Sequence, residues 1–278
     1  MNNWSVDEIV GVCCEAAKIA MEYYSNPPME LKSDNSVVTA ADKAIEQYLI
    51  SRLVADEDSY FIGEETVAER GEDYINAALR AEACWIVDPI DGTAPYSCMF
   101  PAWGHSIALM HNGVISDGAI YLPVQDVLLI TDGSDVWHYR NLRNPEATVR
   151  EKFHFQNMKI DIRRPVAVAQ RYAKYRKIEL ENQVFCWSGC VAASYYLLTG
   201  KLLAYLAVVK LWDIAAVAAI MSRSNYIGIN EFGREVSLKV DESGYELGCG
   251  TKDRWRLRGA TVFAANNDIA GYIWSKVE

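Results

Sequence analysis

The sequence predicts an α/β protein whose N-terminal half contains an antiparallel sheet. Two observations support this fold class. Apolar segments 107–111 and 114–121 flank Asn112-Gly113, a dipeptide typical of a tight type I′ hairpin. Segments 127–131 and 136–139 flank a second turn at Asp132-Gly133. Farther along the chain strand and helix patterns alternate, as in an α/β layer; they cover residues 166–169, 191–198, 204–208 and 214–221.

The first elements of the chain are helical. Ser5 and Glu8 have the spacing of a capping box, and they precede an apolar stripe formed by Ile9, Cys13, Ala16 and Ala20. A second helical pattern opens at residues 39–42 and continues with apolar residues at spacings of three and four. Residues 141–162 are polar, irregular and poor in Gly, so we place a boundary there. The predicted halves are residues 1–145 and 146–278.

Composition excludes several classes of function. The net charge of −10 argues against a nucleic-acid polymer as partner, because there is no excess of basic residues to neutralise phosphates. The apolar runs are too short to span a bilayer, and the N-terminus lacks a basic region followed by an apolar stretch. We therefore expect a cytoplasmic protein without membrane association. The 7 cysteines form no Cys-x-x-Cys pair, which favours small buried side chains in a reducing compartment.

The most informative segment joins a buried strand to a loop. An apolar run ending at Val87 leads into Asp88 and Asp91 on a turn that ends at Thr93. Open α/β folds place ligand sites at this end of a strand. Two carboxylates held close together repel each other unless a cation lies between them, and hard oxygen ligands suit Mg²⁺ or Mn²⁺ rather than zinc. For Asp91-Gly92 alone, a solvated turn is the alternative.

Further carboxylates lie in compatible surroundings. The run 60–62 leads into Gly63-Glu64-Glu65, and Asp213 precedes the apolar helix 214–221. Asp42 stands at the start of the second helical pattern. Each has a structural alternative: Thr39, Asp42 and Asp213 can cap helices, and the two glutamates can be solvated loop charges.

Taken together, these segments resemble the inositol monophosphatase family. The resemblance is carried by Gly63-Glu64-Glu65, Asp88-Pro89-Ile90-Asp91-Gly92-Thr93 and Trp212-Asp213, in this order and spacing. Residues 38–42 resemble the Thr-x-x-Asp element of the family, and residues 264–267 resemble its Ala-Asn strand ending. The resemblance implies a layered αβαβα sandwich, and it implies a lithium-sensitive, Mg²⁺-dependent phosphatase. A homodimer is also implied.

The resemblance also assigns roles to residues. Glu64, Asp88 and the carbonyl of Ile90 would hold one metal ion, and Asp88, Asp91 and Asp213 a second. A third, weaker ion near Glu64 is implied, so we expect two to three Mg²⁺ ions, with Mn²⁺ as a substitute. The catalytic residues would be Asp42, Glu64 and Thr93. The backbone amides of Gly92 and Thr93 would bind phosphate at a helix start.

The substrate is expected to be a small phosphorylated metabolite, similar to inositol monophosphate, attacked in line by water. Inositol-preferring relatives carry an acidic residue shortly before the Trp-Asp element, whereas residues 206–211 contain none. We expect Gly189, Cys190 and Lys210 to line the substrate pocket, although a solvated lysine at a strand edge is the alternative for Lys210. Three other activities stay open: sugar bisphosphatase, phosphoadenosine-type nucleotidase and histidinol-phosphate phosphatase. A non-catalytic metal-binding family member is a further alternative.

Overall fold

The computed structural model describes residues 3–26, 29–31, 37–54, 59–251 and 253–278. Its helices are α1 Val6–Tyr24, α2 Ala40–Leu53, α3 Glu72–Ala78, α4 Thr93–Ser97, α5 Gln170–Tyr175, α6 Cys190–Leu198, α7 Leu211–Met221 and α8 Asn267–Trp274. Its strands are β1 Met29–Leu31, β2 Val37–Thr39, β3 Ser59–Gly63, β4 Ala83–Asp91, β5 Gly104–His111, β6 Val114–Leu122, β7 Val127–Asp132, β8 Asp135–Arg140, β9 Val149–Lys152, β10 Val166–Ala169, β11 Val184–Trp187, β12 Ala204–Ala207, β13 Ile227–Asn230 and β14 Thr261–Ala264.

The first sheet is a meander of 7 strands in chain order, β3-β4-β5-β6-β7-β8-β9. Strands β3 and β4 are parallel, and the other neighbours are antiparallel. The hairpin between β5 and β6 is confirmed, since Asn112 and Gly113 both have positive φ, at 49° and 77°, as a type I′ turn requires. The second predicted turn joins β7 to β8. The antiparallel half is therefore present as expected.

Helices α1 and α2 cover one face of the first sheet. The stripe predicted for α1 is buried, and it packs with apolar residues of α2 and of this sheet face, such as Trp85 and Leu109. The predicted capping box of α1 is wrong: Ser5 is the N-cap residue, but its side chain makes no capping hydrogen bond. The helix is stabilised instead by burial of its apolar stripe, which outweighs a single cap.

Helices α6 and α7 lie between the two sheets. Both are apolar on nearly all sides, which is typical of a helix that is buried on both faces. Helix α7 approaches β6 so closely that a Cβ atom on Gly118 would lie 2.4 Å from the carbonyl oxygen of Ala216. This close approach fixes α7, and with it Asp213, against the first sheet.

The second sheet has 5 strands in the order β11-β10-β12-β14-β13. Strand β10 is parallel to both β11 and β12, so the carboxyl ends of these three strands lie at the same edge. Helices α6 and α7 begin shortly after β11 and β12. On the other face, α5 packs on β10 and α8 packs on β14. The predicted layered αβαβα sandwich is confirmed.

The change of sheet falls slightly later than the predicted boundary between residues 145 and 146. Strand β9 follows that boundary, yet it pairs with β8 in the first sheet. The chain enters the second sheet at Val166, so the polar connecting segment includes residues 153–165. The division into two structural units stays a prediction.

The cysteines differ from one another in exposure. Cys13, Cys84 and Cys190 are buried, as expected for small core residues. The expectation is wrong for Cys98, Cys186 and Cys249, which are exposed; Cys186 lies on β11, the edge strand of the second sheet. None of the helices in the described part of the chain combines the length and the apolar character needed to cross a bilayer.

Candidate active site

Strand β4 places Asp88 and Asp91 at the centre of the site. The strand is buried along its whole length and pairs regularly with β5 as far as Asp88, which lies opposite Ser106. The register then shifts, so that Asp91 lies opposite Gly104. Residues three apart on a regular strand point to opposite faces, and a bulge changes this alternation. The irregularity around Pro89 therefore lets both carboxylates contribute to one site.

Two residues of β5 hold the neighbouring backbone in place. The ring Nδ1 of His105 lies 2.5 Å from the carbonyl oxygen of Pro89, and the Ser106 hydroxyl donates to the carbonyl oxygen of Trp212 at 2.8 Å. Burial lowers the pKa of His105 to about 4, so the ring is neutral near pH 7 and its Nδ1 carries the donated hydrogen. Sequence reasoning did not identify either residue as part of the site.

Asp213 completes the group from helix α7. It is the third residue of the helix, and its Oδ2 accepts a hydrogen bond from the Lys210 N–H at 2.7 Å. Asp88, Asp91 and Asp213 each offer a carboxylate oxygen, and these oxygens all lie within 4.8 Å of one another. The predicted convergence of these three aspartates is present in the structure.

Asp91 also connects strand β4 to helix α6. Its Oδ1 accepts from the Cys190 N–H at 2.9 Å and its Oδ2 accepts from the Val191 N–H at 2.6 Å. These amides belong to the first turn of α6, whose N–H groups have no partner within the helix. Cys190 is buried and its thiol lies near the Ser194 hydroxyl, so Cys190 contributes to the site through its N–H group. Gly189 precedes α6 in a backbone conformation with φ of 143°.

Thr93 and Asp42 meet beside the three aspartates. The Thr93 hydroxyl lies 3.3 Å from Asp42 Oδ1 and 3.1 Å from the carbonyl oxygen of Ile90. The N–H and the hydroxyl of Thr39 both donate to Asp42 Oδ2, at 2.7 and 2.5 Å. Thr39 and Asp42 thus form the N-terminal cap of α2, and Asp42 keeps its other oxygen towards Thr93. Asp42 can therefore cap helix α2 with one oxygen and contact Thr93 with the other, so a capping role does not exclude a catalytic one.

Glu64 is not a member of the close group formed by the three aspartates. In the described ranges, no group of three or more metal-ligand side chains includes it; the group consists of Asp88, Asp91 and Asp213. Its Oε1 lies 3.8 Å from the Lys210 ammonium, and its backbone N–H donates to the Val87 carbonyl oxygen at 3.3 Å. The place of Glu64 in the metal set stays a prediction.

Glu46 is a buried carboxylate that sequence reasoning missed. Its two oxygens accept from the N–H groups of Glu65 and Thr66, at 3.0 and 2.8 Å. Glu46 therefore fixes the turn that carries Glu64. A signal was present in the sequence, because Asp42, Glu46, Leu49 and Leu53 have the spacing of one buried helix face.

The site residues fit a hard divalent cation. Burial raises the pKa of Asp88 well above its ordinary value, and the charges of Glu64, Asp91 and Asp213 raise it further. Burial likewise raises the pKa values of Asp91 and Asp213, each with a contribution from neighbouring carboxylates. Carboxylate and carbonyl oxygens are the ligands that Mg²⁺ and Mn²⁺ prefer. A bound cation would offset this repulsion and favour the ionised forms.

The metal-free protein should lose stability as the pH rises. Burial raises the pKa of Asp42 to about 7, and it also raises the pKa values of Asp88, Asp91 and Asp213. A carboxyl group whose pKa is higher in the folded than in the unfolded protein stabilises the fold when it is protonated. This stabilisation is complete below the unfolded pKa of about 3.9, and it is lost as the pH rises from there to the folded pKa. We therefore expect the melting temperature in EDTA to fall between about pH 4 and pH 7.

Thermal unfolding at constant ionic strength, with EDTA or with Mg²⁺, measures this dependence. Mg²⁺ would bind the ionised carboxylates, so the stabilisation that it adds should grow over the same pH range. A metal-free melting temperature that rises from pH 5 to pH 8 would contradict the expectation.

The chain has relatives among known proteins. A sequence profile described as the inositol monophosphatase family matches residues 5–236. Inositol monophosphatase 3 of Solanum lycopersicum is 38% identical over 132 residues, which are 45% of this chain and 48% of that protein. Inositol monophosphatase 1 of Homo sapiens is 39% identical over 115 residues, which are 41% of this chain and 38% of that protein. The aligned segments thus span about half or less of these relatives.

Likeness of structure extends over nearly the whole chain. The solved IMPase of Thermotoga maritima superimposes with a TM-score of 0.71, covering 96% of each chain at 15% sequence identity. At this identity the likeness shows a shared fold. The sequence profile matches well over half of the residues and includes all the candidate ligands. The chain belongs to the inositol monophosphatase family.

Proposed function

We propose that the protein is a Mg²⁺-dependent phosphomonoesterase that hydrolyses a small phosphorylated metabolite similar to inositol monophosphate. The observation that carries this proposal is the buried group of Asp88, Asp91 and Asp213, whose oxygens lie within 4.8 Å of one another. The contact between Thr93 and Asp42 beside this group supports it. A non-catalytic metal-binding protein would need the aspartate group but not the contact between Thr93 and Asp42.

The residues that would hold metal ions form two overlapping sets. Glu64, Asp88 and the carbonyl of Ile90 form one set, and Asp88, Asp91 and Asp213 form the other. Mg²⁺, or Mn²⁺ in its place, would lower the pKa of water and offset the charge of the phosphate oxygens. The Ile90 carbonyl oxygen lies 3.1 Å from the Thr93 hydroxyl, and its lone pairs are available to a metal ion when the single Thr93 hydrogen is donated to Asp42.

Thr93 and Asp42 would handle the proton of the attacking water. The two donors of Thr39 engage Asp42 Oδ2, so Oδ1 is the oxygen that faces Thr93. A hydroxyl that donates to Asp42 can accept a hydrogen bond from water through its own lone pair. Thr93 would thus orient the water while Asp42 orients Thr93, with Glu64 assisting. Water attacks phosphorus directly, and no covalent phosphoenzyme is needed.

The turn before helix α4 would bind the phosphate group. Gly92 is the N-cap residue with φ of 88°, and a Cβ atom there would lie 2.8 Å from the carbonyl oxygen of Ala102. Only glycine fits this conformation without strain. We propose that the N–H groups of Gly92 and Thr93 donate to the phosphate oxygens, which fixes the phosphorus atom beside Asp42 and the aspartate group.

The substrate pocket differs from an inositol-binding pocket in charge. Residues 206–211 contain no acid that could accept hydrogen bonds from sugar hydroxyls, and Lys210 instead points its ammonium towards Glu64. Loss of such a charge-assisted bond weakens polyol binding by about 1.5–3 kcal/mol. Because the acid is missing, the second candidate function is that of a sugar bisphosphatase, a phosphoadenosine-type nucleotidase or a histidinol-phosphate phosphatase. We place Gly189 and Lys210 at the rim of the pocket.

A panel of phosphate esters tests this function. We expect release of inorganic phosphate from one of inositol-1-phosphate, fructose-1,6-bisphosphate, phosphoadenosine phosphate, histidinol phosphate or glycerol-2-phosphate. Release should require Mg²⁺, stop with EDTA and decrease with Li⁺. Hydrolysis that continues in EDTA would contradict a metal-dependent mechanism. Binding of Mg²⁺ without turnover of any ester would favour a non-catalytic family member.

Two further expectations stay predictions. These are the cytoplasmic location and the homodimer.

A further inference from the structure

The Lys210 ammonium lies beside the carboxylate of Glu64. Its Nζ lies 3.8 Å from Glu64 Oε1, with side-chain exposures of 32% and 19% for the two residues. The same ammonium lies 5.0 Å from the ring centroid of Trp212. Both contacts hold the charge beside Glu64 and Trp212, although part of the side chain stays exposed, so the interpretation of Lys210 as a lysine without partners at a strand edge does not describe its surroundings.

The backbone around Lys210 is fixed from two sides. The Lys210 N–H donates to Asp213 Oδ2, which ties the lysine to one of the candidate ligands. The segment 255–257 binds the backbone on both sides of Lys210. The Leu211 N–H donates to the Trp255 carbonyl at 2.8 Å, and the Leu257 N–H donates to the Val209 carbonyl at 3.0 Å. The backbone that carries the Lys210 side chain is therefore held in place.

The Lys210 ammonium can offset part of the negative charge of the neighbouring carboxylates. Glu64 brings one more negative charge to the surroundings of Asp88, Asp91 and Asp213, and the Lys210 ammonium lies 3.8 Å from its Oε1. A carboxylate that already neutralises an ammonium attracts a further divalent ion less, and the ammonium repels that ion directly.

We propose that the Lys210 ammonium is a built-in cation of the metal centre, which excludes a third divalent ion from Glu64. This inference rests on the proposed function, because it assumes that the aspartate group binds Mg²⁺. It replaces the expectation of a third, weaker ion near Glu64. The two proposed ions would still bind, because Asp88 belongs to both sets, whereas a third ion would depend on Glu64, whose charge the lysine already offsets.

Isothermal titration calorimetry with Mg²⁺ tests the proposal without relying on activity. We expect the Lys210→Met variant, which keeps most of the apolar stem, to bind one more Mg²⁺ per chain than the wild type, or to bind at Glu64 about tenfold more tightly. Lys210→Arg keeps the charge and should give the wild-type stoichiometry. The double variant Lys210→Met/Glu64→Gln should bind no more Mg²⁺ than Glu64→Gln alone, because the additional ion depends on Glu64.

Lys239→Met is the matched control, because this exposed lysine pairs with Asp241 away from the aspartate group. Identical isotherms for the wild type and Lys210→Met would overturn the inference and leave the proposed function intact. A third equivalent of Mg²⁺ in the wild type would also overturn it. If Lys210→Met instead raised KM for a bisphosphate with an unchanged isotherm, the lysine would serve the substrate and the inference would fail. Absence of Mg²⁺ binding to every variant would overturn the proposed function itself.

Discussion

Replacing Asp88 by Asn should lower Mg²⁺-dependent phosphate release by about 10³-fold, which corresponds to about 4 kcal/mol of transition-state stabilisation. Asp88 is the candidate ligand common to both predicted metal sets, and it is buried beside two further aspartates. An amide keeps the size of the side chain but removes the charge that attracts a cation. Initial rates on the substrate that the panel identifies, measured over a range of Mg²⁺ concentrations, check this expectation.

The same substitution should act on stability in the opposite direction. Asp88 is repelled by Glu64, Asp91 and Asp213 in the metal-free protein, so Asn at this position should raise the melting temperature in EDTA. An inactive variant that is also more stable cannot be explained by misfolding. The surface substitution Asp132→Asn is a matched control, because Asp132 is exposed and pairs only loosely with Arg150, at 3.5 Å. An Asp88→Asn enzyme with full Mg²⁺-dependent activity would contradict the proposed site.

Gly118→Ala should cause the largest loss of stability among single small substitutions, about 3 kcal/mol. The added Cβ would lie 2.4 Å from the carbonyl oxygen of Ala216 and 2.6 Å from its Cα. Because both are backbone atoms of α7, the clash can be relieved only by moving the helix that carries Asp213. Urea unfolding measures the loss, and Mg²⁺ affinity should fall with it.

Gly11→Ala is the control for this substitution. Gly11 is exposed on α1, and a Cβ atom there meets nothing within 4 Å. Alanine favours helix more than glycine, so this variant should be more stable by up to about 1 kcal/mol. A free energy of unfolding for Gly118→Ala within 0.5 kcal/mol of the wild type would show that α7 is not held at this contact.

Local patterns in the sequence were enough to predict the main elements of the site. The apolar run before Asp88 indicates a buried strand, and Asn112-Gly113 indicates a hairpin, because both depend on neighbouring residues. The order of the acidic motifs then indicated the family and the layered fold. Asp42 was predicted both as a helix cap and as a partner of Thr93, and the structure shows that one carboxylate makes both contacts.

Contacts between distant residues could not be predicted in this way. The two hydrogen bonds from α6 to Asp91 join residues 99 and 100 positions apart. The register shift between Asp88 and Asp91 depends on how β4 pairs with β5. The buried position of Glu46 was visible as helical spacing, but its role follows only from the turn that it holds. The ion pair between Lys210 and Glu64 likewise appears only when the two sheets are assembled.

Hydrolysis in water enriched in ¹⁸O tests the central claim most directly. The substrate identified by the panel is incubated with the protein and Mg²⁺, and the isotopic content of both products is measured by mass spectrometry. Attack of water at phosphorus predicts one ¹⁸O atom in each phosphate and none in the alcohol, and direct attack without a phosphoenzyme further predicts inversion at phosphorus when the ester carries an isotopically chiral phosphate group. Label in the alcohol, or no phosphate above background while Mg²⁺ binds, would contradict the account.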